Sequence, residues 1–258
     1  MSKIALKFGY IGLHFHGYAR QPTIPTVEGK IIDKFIEREI IESVKEAEIR
    51  CASRTDKHVS ALSNVMTFYS KISSKKILPL LSDDFNAIFP YGIAEVSDDF
   101  NPRHAISRTY QYYLPRYRFP IKKLEEALML FEGEHDFSNF ARIESHRNPV
   151  RVIDDITILE KKNSLVIQIK AQTFLWNQIR RMVQAAIKYC KNTLSLDQIR
   201  QALQQPNTPL DFNIAPAQPL ILTNIEYPNI NFFEINSLRN NTSLVMSSVE
   251  ELITNFDF

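Results

Sequence analysis

Along this chain the spacing of apolar residues switches between a period of two and a period near 3.6, and the same order of switches occurs twice. Residues 3 to 10 alternate through Ile4, Leu6, Phe8 and Tyr10, the pattern of a strand. Val27, Ile31 and Phe35, flanked by Ile32, Ile36 and Ile40, recur at helical spacing behind Thr26, whose hydroxyl suits an N-cap. A short strand is expected at Ala47 to Cys51, followed by Ala52 to His58, which is too charged for a buried strand. Ala61 to Tyr69 predicts a strand, Ser74 to Ile88 a helix broken near Pro79, and Tyr91 to Val96 a strand. The order is βαββαβ.

The second half repeats that order. Ala105 to Leu114 predicts a strand, and Pro120 to Phe131 a helix opened by Pro and closed near Gly133. Val152 to Glu160 and Leu165 to Gln172 read as a hairpin through Lys161-Lys162-Asn163-Ser164. Phe174 to Cys190 is a helix with Ile179, Met182, Val183, Ala186, Ile187 and Cys190 as its core stripe, with Arg180 flanking the stripe and Arg181 facing away. A helix at Leu196 to Gln204 and a strand at Leu220 to Tyr227 complete the unit. The expected fold is therefore α+β, two ferredoxin-like halves over residues 1–99 and 100–258, each with a helix pair on one face of an antiparallel sheet. The halves share no obvious sequence identity, so the repeat is one of architecture. The last thirty residues, with Asn240, Asn241 and Thr242, are expected to be a peripheral appendage.

Composition narrows the function classes. A chain of 258 residues with 44% hydrophobic and 23% charged residues can bury a sizeable core and is not wholly disordered. No apolar run approaches the roughly 20 residues of a membrane helix, and residues 1–10 lack a secretory hydrophobic run. Cys51 and Cys190 form no CxxC pair, which points to a reducing cytoplasm. With six glycines there is neither a Walker A loop nor GxGxxG, so a P-loop or dinucleotide enzyme is not expected.

The charge, 31 Lys+Arg against 29 Asp+Glu, is nearly balanced but unevenly spread. Residues 100–124 and 161–196 contain no acid, and Asp56 is the only acid between Arg50 and Ser82. Acids gather instead between Glu37 and Glu48 and from Glu250 onward. Such segregation suits a polyanion, although separately solvated surfaces would have the same pattern.

Within Cys51-Ala52-Ser53-Arg54-Thr55-Asp56-Lys57-His58, a lone Asp among Arg and Lys is held as a carboxylate, as a nucleophile or base must be. A surface turn with a capping Asp is the plainer reading of the same residues. Tyr110, Tyr112 and Tyr113 follow Arg103 and Arg108, and basic residues interleaved with strand aromatics suit base stacking as well as ordinary core filling. His14 and His16 on a strand would share a face, yet nothing nearby supplies a third metal ligand. Ser53, Ser60 and Ser138 lack a Gly-x-Ser-x-Gly setting.

Five ordered blocks together carry a resemblance. Phe8-Gly9-Tyr10 through His16-Gly17-Tyr18-Ala19-Arg20-Gln21-Pro22 and Thr26-Val27-Glu28-Gly29 form the first, and Ala52-Ser53-Arg54-Thr55-Asp56-Lys57 the second. Phe100-Asn101-Pro102-Arg103 with Ser107-Arg108-Thr109-Tyr110 is the third, Gly133-Glu134-His135-Asp136-Phe137-Ser138-Asn139-Phe140 the fourth, and Lys170 through Phe174-Leu175-Trp176-Asn177-Gln178-Ile179-Arg180 the fifth. Over roughly residues 3 to 228 the chain resembles the TruA-type tRNA pseudouridine synthases, in wording closer to their archaeal and eukaryotic branch.

The resemblance implies a cofactor-free, metal-free isomerase that makes pseudouridine at positions 38 to 40 of the tRNA anticodon stem-loop. It also implies a pseudouridine synthase fold whose halves share one sheet, a basic cleft between them, and a homodimer. Asp56 matches the catalytic aspartate, Arg54 the arginine that displaces the base, Tyr110 the tyrosine that stacks on it, and Arg180 the arginine that pairs with the aspartate. Arg103 and Arg108, in the third block, are expected to contact the substrate. Two positions depart from the family pattern. His58 stands where Gly is usual, and Gln218-Pro219 where an acid-Gly pair is common. If position 58 needs φ > 0, a His there costs on the order of 1 kcal/mol. The competing expectation is a catalytically silent RNA-binding protein on the same scaffold, with His58 as its mark.

Overall fold

In the computed structural model, which describes residues 1–81, 85 and 87–255, the first alternating run is β1 (Ser2–Tyr10). A 3-10 turn at Gly12–His14 leads to α1 (Val27–Glu37), whose start is fixed by Thr26: its hydroxyl accepts from the Gly29 amide. Val27, Ile31, Ile32 and Phe35 form the buried face of α1, and Ile36 lies outside it. The strand expected from Ala47 is shorter than its apolar content suggests. Ser43 caps a one-turn helix, α2 (Val44–Ala47), and Glu48 turns left-handed at φ 43°, leaving only β2 (Arg50–Cys51) extended. β3 (Ser60–Ser70), α3 (Ser74–Leu81) and β4 (Ile88–Val96) follow. Pro79 sits inside α3, and the chain is already a strand at Ile88, where the helix was expected to end. Residues 82–84 and 86 of that expected helix lie outside the described residues.

β1 runs antiparallel to β3, with Leu6 opposite Met66, and to β4, with Lys3 opposite Val96. β2 pairs with β3 at Arg50 and Cys51, so the spatial order is β4-β1-β3-β2, that of a βαββαβ unit.

After β5 (Ser107–Pro115), Pro120 precedes α4 (Ile121–Leu128), and a 3-10 turn at Met129–Phe131 ends at Gly133, which takes φ +86°. β6 (Gly133–Asp136) and β7 (Val150–Ile153) form a separate antiparallel ribbon. The single strand expected from Val152 to Glu160 is thus divided at Asp154 into β7 and β8 (Asp155–Glu160). β9 (Ser164–Ala171) lies between β5 and β8, antiparallel to both. α5 (Gln178–Cys190) begins four residues later than its periodicity predicts, because Asn177 takes φ 63° and Trp176 before it is extended in an isolated bridge to Arg142. α6 (Leu196–Gln204) carries a full capping box between Ser195 and Gln198.

β10 (Leu220–Glu226) is parallel to β3, with Ile221 opposite Ser60. The last thirty residues, expected to be a peripheral appendage, form β11 (Phe233–Glu234), α7 (Asn236–Asn240) and α8 (Ser243–Asn255). β11 adds to the outer edge of β4, and Glu234 binds Lys7 of β1 at 2.9 Å. Thr242 lies where a Cβ on Gly9 would meet it at 3.0 Å. The tail therefore covers the face of β1 opposite Ile4, Leu6, Phe8 and Tyr10. Contacts divide the chain into two compact units, Met1–Ile106 with Ile221–Ser248, and Ser107–Leu220 with the stretch from Val249. No described helix is long and apolar enough to cross a membrane.

Candidate functional site

The loop that carries Asp56 arises where β2 leaves β3. Ala52 still donates to Val65 O at 2.8 Å, but beyond it the edge of β3 passes to β10 at Ser60 and Ala61. Asn64, fully buried on β3, fills the gap by donating to Ser53 O at 2.9 Å. On the other side Thr55 is gripped twice: its hydroxyl shares a 2.8 Å hydrogen bond with Tyr10 Oη, and its carbonyl accepts from the Tyr18 amide at 3.1 Å. Gly12 lies so close to the end of the loop that a Cβ there would be 2.3 Å from Val59 O, and its amide donates to Ser60 Oγ. Thr55 and Ser53 are buried, Asp56 is half-buried, and Arg54 and Lys57 are exposed. A rigid segment thus holds one carboxylate between two solvent-facing cations.

The left-handed geometry expected to trouble position 58 is present. Val59 N donates to Asp56 O at 3.1 Å, closing a turn with His58 third at φ 69°. Turns that require φ > 0 at this position ordinarily use glycine, though His enters the left-handed region more readily than most side chains. His58 retains the loop's shape at a cost in strain. Its ring lies 6.4 Å from that of His16 and has Nδ1 buried. Burial, then the nearby Lys57 and His16, push the His58 imidazole below its ordinary pKa. His14 closes the 3-10 turn and is not on a strand, so the two histidines expected to share a strand face do not. Among the described residues no group of three or more His, Cys, Asp or Glu is placed to hold a metal ion.

Arg103 is exposed in the same unit, its amide held by Asn101 Oδ1, and both it and Arg54 act electrostatically on Cys51. Burial nevertheless raises the Cys51 thiol to about 11, so it remains protonated and unreactive at neutral pH.

The second unit carries the other expected residues. On β5, Tyr112 and Tyr113 are completely buried, with hydroxyls donating to Pro216 O and Gln111 Oε1, whereas Tyr110 keeps part of its surface. Of the three rings only Tyr110 remains accessible, and the edge of Phe174 braces it at 5.3 Å and 86°. Arg108 is buried, with a guanidinium NH donating to Gln172 O. Arg180, half-buried in the first turn of α5, donates from Nε to Ala215 O at 2.8 Å and from Nη1 to Asn177 Oδ1. Arg181 pairs with the exposed Asp211 at 3.1 Å. The structure therefore groups Arg54, Asp56 and Arg103 in one unit and Arg108, Tyr110 and Arg180 in the other.

Sequence reasoning missed the residues that hold the loop: Tyr10, Gly12, Tyr18, Thr55 and Asn64. A polar Asn within a strand pattern and a Gly just beyond another were the available signals, and neither names its partner.

A family described as tRNA pseudouridine synthase matches residues 127–228. tRNA pseudouridine synthase A of Thermococcus gammatolerans is 42% identical over 234 residues, covering 89% of this chain and 86% of that protein. The enzyme of the same name from Pyrococcus furiosus is 37% identical over 238 residues, 89% of this chain and 85% of that one. That of Methanothermobacter thermautotrophicus is 37% identical over 230 residues, 88% and 82%. A solved archaeal box H/ACA sRNP Nop10-Cbf5 complex overlaps 95% of this chain and 57% of its own, at 14% identity and a TM-score of 0.37. Likeness to the first three runs over nearly nine-tenths of the residues and so through both units: the chain belongs to the tRNA pseudouridine synthase A family.

Proposed function

We propose that this tRNA pseudouridine synthase modifies uridines 38, 39 and/or 40 of the anticodon stem-loop and that Asp56 is its catalytic nucleophile. The supporting observation is the clamped loop. Asp56 is half-buried and adjoins Thr55, which is fixed by Tyr10 and Tyr18, so the carboxylate is positioned before substrate arrives.

The reaction breaks the N1–C1′ glycosidic bond and forms a C5–C1′ bond; the C5 proton leaves to water and N1 gains one. Attack by the carboxylate at ribose C1′ or at base C6 serves either route. A paired uridine must first leave its stem. Arg54, exposed beside Asp56, enters the space the base vacates, and Tyr110 stacks on the displaced uracil. Arg180, with two of its donors already oriented, matches the arginine that the family resemblance assigns to the catalytic carboxylate. Arg103 takes a substrate phosphate, while buried Arg108 acts by holding the Gln172 carbonyl at the end of β9. The enzyme works as a homodimer in the cytoplasm, a reading supported by the family resemblance and, for the compartment, by two cysteines that form no CxxC pair.

The test is Asp56→Asn, assayed by tritium release from tRNA labelled at uracil C5. Turnover is expected to fall on the order of a thousandfold or more, the scale of losing a nucleophile. Because one repulsion with phosphate is removed, tRNA binding should persist or tighten. Near-native release would remove Asp56 from the chemistry. Mapping pseudouridine in the product decides the positions modified.

A further inference from the structure

Trp176 is the only tryptophan in the chain, and 43% of its surface is exposed. The guanidinium of Arg142 lies 4.1 Å from its ring centroid. Their backbones are joined as well: Arg142 N donates to Trp176 O at 2.8 Å in an isolated antiparallel bridge. Both flanks are rigid. Before Arg142, Phe140 is fully buried and stacks on Phe212 at 4.7 Å, and Asn139 binds Ala202 O and the Leu210 amide. Beside Trp176, the Leu175 amide donates to Gln178 Oε1 at 2.8 Å.

A large ring held at the surface under a cation would lower its free energy by burial against something. Arg142 makes no ion pair among the described residues, and Glu144, the nearest acid in sequence, is bound to Arg147. Tyr117 provides a contrast. It is 87% exposed beside Arg116, but that guanidinium is already bound to Glu160. Among the described residues, only at Trp176 does an exposed ring meet a cation with no carboxylate on it. A guanidinium held over a ring by its cation–π attraction keeps its N–H donors for a phosphate.

We propose that Arg142 and Trp176 form a second RNA-contact site, in which an unpaired nucleobase of the substrate stacks on the indole and Arg142 binds an adjoining phosphate. The proposal rests on tRNA being the substrate. An indole with a free guanidinium edge matches a base and its phosphate, whereas a protein surface would more simply be met by an uncharged apolar patch.

A single tryptophan makes the site directly readable. Titrating the full-length protein with tRNA should quench the Trp176 fluorescence saturably, with a midpoint equal to the Kd from filter binding. Trp176→Leu should raise KM for tRNA between about 5- and 100-fold, the range for removing one stacking ring, with kcat at saturating tRNA retained. Trp176→Phe should recover most of the loss, which a purely structural role for the indole would not predict. Arg142→Gln should weaken binding and lower the slope of log Kd against log salt by about one; should Trp176→Leu fail to fold, this variant and Trp176→Phe carry the test. Unquenched fluorescence with unchanged KM in these variants, or loss of a protein complex with tRNA affinity intact, overturns the proposal while wild-type protein still makes pseudouridine. Wild-type protein that neither binds nor modifies tRNA overturns the proposed function instead.

Discussion

Tyr10 Oη and Thr55 Oγ1 share a buried 2.8 Å hydrogen bond across 45 residues of sequence, tying the end of the first strand to the residue before Asp56. Tyr10 is itself fully buried, on the same side of β1 as Phe8, with Tyr18 6.3 Å away between ring centroids. The position of the carboxylate is thereby coupled to the packing of the first unit's core.

Removing that hydroxyl tests the coupling. Tyr10→Phe leaves the Thr55 hydroxyl buried without its partner, which should cost about 1 to 2 kcal/mol in urea unfolding and lower turnover several-fold. The double variant Tyr10→Phe/Thr55→Val should recover much of the stability, because both polar groups are then gone. Equal stabilities for wild type and Tyr10→Phe would show that the bond is not part of the clamp.

His58 offers a second test, of opposite sign. The left-handed conformation costs a side chain roughly 1 to 2 kcal/mol, and glycine gives back part of that relief through its extra freedom when unfolded. His58→Gly should therefore stabilise the protein by about 0.5 to 1 kcal/mol, and His58→Val should destabilise it by a similar or larger amount. Both are read from urea midpoints. A less stable His58→Gly would mean that the contacts of the imidazole outweigh the strain.

The same imidazole sets a pH dependence. Its folded pKa lies below the ordinary 6.5, so the unfolded chain binds the proton more tightly. The contribution of His58 to stability is therefore full above about pH 6.5 and lost as pH falls through the folded pKa. Melting temperatures of wild type and His58→Gln should diverge as pH drops from about 6.5 to the folded pKa, with wild type losing more. Parallel curves would count against the burial of this ring.

Much of the fold could be read from period alone, because a strand or helix with one buried face writes that face into its spacing. Thr26 and Ser195 mark their helix starts with side chains that act locally. Where a non-glycine residue takes a left-handed conformation, that local legibility ends. Glu48 cuts the second strand to two residues, and Asn177 delays α5 by a turn. Neither residue type announces the conformation by itself. The contacts of the tail were illegible for a different reason: Glu234 and Thr242 act on Lys7 and Gly9, over two hundred residues away, and no local pattern records a partner at that distance. The candidate site divides in the same way. Asp56 and Arg54 stand out as charges in a short loop, while the groups that hold them do not.

Arg54 gives the last test, on the step before chemistry. It is exposed next to a loop that is otherwise fixed, so truncation should leave stability within about 0.5 kcal/mol of wild type, as for a surface residue. If its role is to stabilise the displaced base, Arg54→Ala should lower turnover more on a uridine paired in the stem than on the same uridine opposite a mismatch. Unpairing removes a few kcal/mol of the flipping cost, and with it most of the arginine's contribution. Single-turnover rates on the two tRNAs, at saturating enzyme, separate this step from binding. An equal loss on both would assign Arg54 to anchoring phosphate, and its effect should then diminish with added salt.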